Sequence, residues 1–86
     1  MAYSPVAALN RAYVLSKTAG KARAIAEAEK LNMQNNVFYY MLMGYLYTDA
    51  NNKQALFNYQ QALKIAKTYA DKNLIINNIN NLLSKV

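Results

Sequence analysis

The order of large and small residues between positions 40 and 62 constrains this chain more than any other feature. Tyr40, Gly44 and Tyr47 set an aromatic residue, a small residue four positions on, and a second aromatic along one segment. Residues three and four apart share a helix face, so Gly44 opens a notch between two bulky side chains where a second helix can come close. The stretch Asp49-Ala50-Asn51-Asn52 then supplies turn and helix-capping residues. Beyond it, Ala55, Tyr59 and Ala62 place alanine, a bulky ring and alanine again. Because ridges of one helix pack into grooves of its neighbour, the two segments predict an antiparallel helical hairpin that crosses at the notch.

Composition narrows the alternatives. The 86 residues make one small domain, which buries about 60 to 65% of the surface its unfolded chain would expose. A single proline, two glycines and 55% hydrophobic residues favour an all-α core over a loop-rich or β-rich one. With no cysteine and no histidine, the chain lacks thiolate ligands, a thiol nucleophile, and the commonest metal ligand and general base. No catalytic residue, cofactor site or metal site is therefore expected. The longest apolar run, Val37 to Tyr47, is interrupted by Gly44 and is much shorter than the roughly 20 residues of a membrane span. The N-terminus has no basic-then-apolar leader pattern, so a soluble, cytoplasmic location is expected.

Five helices are predicted. Ser4 and Pro5 form a start signal, serine as N-cap and proline at the first helical position. The first helix runs to about Lys17, with Val6, Leu9, Tyr13 and then Leu15 or Ser16 at helical spacing. Gly20 breaks the chain before a second helix from Ala22 to Leu31. Asn36 is positioned to cap a third helix, Val37 to Thr48, and Asp49 to Asn52 to cap a fourth, Lys53 to Lys67. A fifth, Tyr69 to Lys85, gathers Leu74, Ile75, Ile79, Leu82 and Leu83 on one side with asparagines mainly on the other, the profile of a solvated helix that ends a stack.

The hairpin between residues 40 and 62 resembles the tetratricopeptide repeat. Its turn is about one residue shorter than usual, and Lys67 stands where that repeat places a closing proline. An offset of 31 residues sets Leu9 on Tyr40, Ala12 on Met43, Tyr13 on Gly44, Ala24 on Ala55, Ala28 on Tyr59 and Leu31 on Ala62. Large and small residues are partly exchanged between the two copies. The expected architecture is an all-α, tetratricopeptide-like domain spanning residues 1–86, with two antiparallel hairpins and a C-terminal capping helix.

Three features bear on function. A net charge of +6 with eight tyrosines is compatible with a nucleic-acid surface. However, Tyr13, Tyr40, Tyr47 and Tyr59 are expected at packing positions, and the cations are scattered along four of the five predicted helices. Glu27 and Glu29 are two apart on a helix and do not face each other, so they suit solvated charges near Arg23 and Lys30 better than paired acid-base chemistry. The third feature is the exposed side of the first helix of each hairpin, which in such repeats lines a concave groove. With Gly44 fixing the register, Phe38, Met41 and Tyr45 fall on that side of the third helix, and Asn10, Val14 and Lys17, with Ala7, on that side of the first. An amide such as Asn10 can hold a peptide backbone through both donor and acceptor, and Met41 offers an adaptable apolar contact. The groove could take an external partner or be filled by another part of the same parent chain.

The run Ser4-Pro5-Val6-Ala7-Ala8-Leu9-Asn10-Arg11-Ala12 resembles the opening of the C-terminal, tetratricopeptide-like extension found in a group of bacterial extracytoplasmic-function RNA polymerase sigma factors. Leu46-Tyr47, Ala55, Tyr59, Ala62-Leu63, Ala66 and Ala70-Asp71-Lys72 continue the likeness over essentially the whole chain. Tyr13 and Tyr39-Tyr40 depart from it, being bulkier than that group's usual small residues. The resemblance implies a fragment of a longer sigma factor whose promoter-melting and promoter-reading regions precede it. The parent would direct transcription initiation. The segment itself would contact protein (other sigma regions, RNA polymerase or a regulatory partner), without direct DNA contact and without a membrane. Taken out of its parent, it would be prone to self-association through uncovered apolar surface. A free-standing adaptor for a peptide or partner helix is the alternative reading, and a small basic nucleic-acid-binding protein the third.

Overall fold

The computed structural model describes residues 5–33 and 35–85, the first two of these by backbone only. It contains α1 (Pro5–Thr18), α2 (Lys21–Glu29), α3 (Val37–Tyr47), α4 (Asn52–Ile65) and α5 (Tyr69–Leu83). No strand occurs among the described residues. The helices α1 and α2 pack together, α3 packs on both of them and on α4, and α4 packs on α5. The result is an all-α slab of 40 × 29 × 17 Å, built from two hairpins and a closing helix.

Local chemistry sets the boundaries. The expected cap at Ser4 lies outside the described residues. Asn36 caps α3, its Oδ1 accepting the N–H of Phe38 at 2.8 Å and of Tyr39 at 3.3 Å. At the far end Thr48 leaves the helix, and its Oγ1 donates to the Gly44 carbonyl at 2.7 Å. Asp49 takes a left-handed conformation (φ 70°) that short polar residues tolerate, and its N–H donates to Asn52 Oδ1 at 2.8 Å. Asn51 then caps α4 through the N–H of Gln54 at 3.2 Å.

Three helices end two residues earlier than expected. Helix α2 stops at Glu29, and its chain turns through Asn32 at φ 51°. Helix α4 stops at Ile65 because Ala66 is extended (ψ 132°), which leaves Thr68 free to cap α5 by accepting the Asp71 N–H at 3.1 Å. Helix α5 ends at Leu83. On α5 the buried stripe is Ile75 and Leu82 with half-buried Ile79, whereas Leu74 and Leu83 are about half exposed. One residue turns a helix face by about 100°, so these two lie on the flanks of the contact and not within it.

The core forms two clusters that share Tyr40 and Tyr47. One joins Leu9, Ala12, Ala24, Ala28, Tyr39, Met43 and Leu46. The other joins Ala55, Tyr59, Ala62, Ala66, Ile75 and Leu82. At the α3–α4 crossing, a Cβ on Gly44 would stand 2.6 Å from Cε1 of Tyr59, and Ala55 and Ala62 flank that ring with no exposed surface. The notch read from the sequence is thus filled by the ring across the hairpin. Tyr39 and Tyr40 meet edge to face at 5.3 Å, placing Tyr39 in the core. Tyr13, by contrast, is 43% exposed and does not occupy the packing position expected for it.

Candidate functional site

Helices α1 and α3, the first of each hairpin, make direct contact and leave a cleft of about 290 Å³ between them. Leu9, Asn10 and Tyr13 line one wall, Phe38 and Leu42 the other. Each set spans one helical turn, so each presents a single face. The floor is apolar, and Asn10 brings an exposed amide to the wall. Phe38 stays half exposed at the rim. Two of the residues expected in the groove, Asn10 and Phe38, therefore share one concavity.

The cleft runs into a cation–aromatic cluster through Tyr13. The Tyr13 and Tyr45 rings lie 5.6 Å apart at 43°. Lys17 Nζ sits 5.3 Å from the Tyr13 ring centre and 5.5 Å from that of Tyr45, and donates to the Tyr45 hydroxyl at 2.8 Å. Lys21 Nζ stands 5.0 Å from the Tyr45 ring centre and donates to the Thr48 carbonyl at 3.2 Å. The attraction between an ammonium and the negative face of a ring explains why both lysines gather there. The hydrogen bond from Lys17 holds the Tyr45 phenol below its ordinary pKa, and the same bond raises that of Lys17. Lys17 and Tyr45, both expected in the groove, are thus bonded to each other.

Val14 and Met41 lie elsewhere. Val14 is exposed beside a second depression of about 370 Å³ between α1 and α2, which also includes Arg11, Arg23 and Glu27. Met41 is half-buried and packs on the α4–α5 core. Each is one residue along from a cleft-lining neighbour, Tyr13 or Leu42, and so is rotated by about 100° away from it. Leu9, Tyr13, Leu42 and Lys21 were not among the expected groove residues. The spacing Asn10, Tyr13, Lys17 marks one face of α1 and would have pointed to Tyr13.

Among the described residues, no three side chains of metal-binding type come together, and no helix is long and apolar enough to cross a membrane. Comparison with protein-family models, curated proteins and solved structures finds no match to this chain.

Proposed function

We propose that this chain is a protein-interaction domain that binds through the α1–α3 face, and that it serves as the C-terminal regulatory extension of an extracytoplasmic-function sigma factor. The observation that carries the first half is the convergence of Leu9, Asn10, Tyr13, Phe38 and Leu42 on one apolar cleft. Its walls come from the leading helices of the two hairpins, the surface such repeats use for binding. The second half rests on the likeness of residues 4–12 to that extension. In this reading the parent protein directs promoter-dependent initiation, and the domain contacts other sigma regions, RNA polymerase or a regulatory protein in the cytoplasm. It acts without a catalytic group.

The genomic reading frame upstream of the Ser4 codon tests the sigma assignment. Continuation into a helix-turn-helix and an aromatic-rich promoter-melting region is the expected result. A stop codon followed closely by a start signal would remove the sigma assignment and leave a free-standing adaptor using the same cleft.

A further inference from the structure

We infer that the α1–α3 face receives an acidic, apolar protein segment, with a bulky side chain in the cleft and carboxylates against Lys17 and Lys21; this rests on the interaction-domain reading above. The cleft and the two ammonium groups form one surface, because Tyr13 lines the cleft and lies under Lys17, and its ring neighbour Tyr45 lies under both Lys17 and Lys21. Along α1, Asn10 and Tyr13 precede Lys17 by about one to two helical turns, or roughly 6 to 10 Å. A matching partner carries its carboxylates at that distance from its apolar anchor.

Charge complementarity decides the sign of the partner. Lys17 donates to the Tyr45 hydroxyl and Lys21 to the Thr48 carbonyl, both uncharged acceptors. The ion pairs among the described residues are Lys30 with Glu27 and Lys85 with Asp49, so no carboxylate of the described chain neutralises the cluster. A second copy is a poor occupant, since it brings four carboxylates against ten cations. A nucleic-acid strand fits less well than a peptide. It needs open aromatic faces for its bases, whereas Tyr13 and Tyr45 contact each other at a 43° tilt and carry lysines over their rings. The apolar floor of the cleft suits an aliphatic or aromatic side chain.

The test is selection of a random twelve-residue peptide display library on the 86-residue chain. Affinities of the selected peptides are then measured by fluorescence anisotropy for the parent, the double variant Lys17→Gln/Lys21→Gln, and Phe38→Ala, each checked for helicity by circular dichroism. We expect enrichment of peptides combining Asp or Glu with Leu, Ile or Phe. Binding should weaken about tenfold in the double lysine variant and fall as salt is raised, and Phe38→Ala should weaken it as well. Enrichment of neutral or basic apolar peptides that need Phe38 but ignore the lysines would overturn the acidic partner while keeping the interaction domain. Failure to enrich any peptide, with salt-steep binding of a fluorescein-labelled oligothymidylate instead, would overturn both. Failure to enrich any peptide without oligothymidylate binding also overturns the inference.

Discussion

The two hairpins solve the same packing problem in opposite ways. In α3–α4 the crossing is closed by one large-into-small contact, the Tyr59 ring in the notch at Gly44, with Ala55 and Ala62 beside it. At the corresponding positions of α1–α2 the sizes are reversed, with Tyr13 on the first helix and Ala28 on the second. Ala28 is fully buried, but Tyr13 does not enter the crossing; it turns to Tyr45 on α3. The first hairpin is therefore closed largely by alanines at Ala12, Ala24 and Ala28, and concavities remain on two of its sides. The second hairpin fills its notch with its own ring, whereas the first leaves Tyr13 outside, where it lines the cleft with Phe38 and Leu42 of α3.

The sharpest way to break this contrast is to truncate the two tyrosines. Tyr59→Ala should cost about 3 to 5 kcal/mol, as for a buried ring left as a cavity. Tyr13→Ala, which loses one ring contact and one exposed cation–π contact, should cost only about 1 kcal/mol. Urea denaturation followed by circular dichroism gives both values, and similar losses for the two would dissolve the distinction. Next in size is Gly44→Val, whose side chain must displace the buried Tyr59 ring and should cost about 1 to 3 kcal/mol. Combining it with Tyr59→Leu should cost less than the two changes summed, because the sites share one contact.

The turns within the hairpins differ in kind as well. Gly20 sits at φ 95° and ψ 159°, with no side-chain cap and open space around it. Gly20→Ala should therefore cost about 1 to 3 kcal/mol from backbone strain alone. The second turn depends on a side chain, and Asn51→Ala should cost about 1 kcal/mol through the lost Gln54 bond. Equal insensitivity of both turns in thermal melts would show that tertiary packing sets these helix ends.

The smallest effects appear at alkaline pH. Burial holds the phenols of Tyr39, Tyr47 and Tyr59 above their ordinary 10.0. Their contribution to stability is intact below that value and is lost as pH rises through their raised folded values. Tyr45 has the opposite sign. The bond from Lys17 holds its phenol below 10.0, so its contribution is present above 10.0 and is lost as pH falls through the lowered value. In a phenolate absorbance titration, Tyr45 should ionise ahead of the other three, and Lys17→Gln should remove that early step.

Much of this was legible in the sequence, for reasons that differ by region. The α3–α4 crossing could be read because Gly44, Tyr59, Ala55 and Ala62 encode shape directly; Asn or Asp capping is legible ahead of both helices, but which residue caps α4, Asn51, is not. The start of α5 was placed correctly at Tyr69, but its cap Thr68 was not anticipated, since Ile65 to Lys67 carry no breaker and only the extended Ala66 separates the helices. For the site, Asn10 and Phe38 do share a cleft, and Lys17 and Tyr45 do meet. Val14 and Met41 lie off that face by one residue's rotation. Lys21 was invisible because it reaches Tyr45 from beyond the Gly20 turn, a relation set by tertiary packing and not by spacing along one helix.

Amide hydrogen exchange of the chain, with and without a selected acidic peptide at saturation, tests the assignment of binding to the α1–α3 face. Added protection is expected in residues 9–21 and 38–48, with exchange in α5 unchanged. Protection confined to α4 and α5 would contradict that assignment, placing the binding surface away from the α1–α3 face.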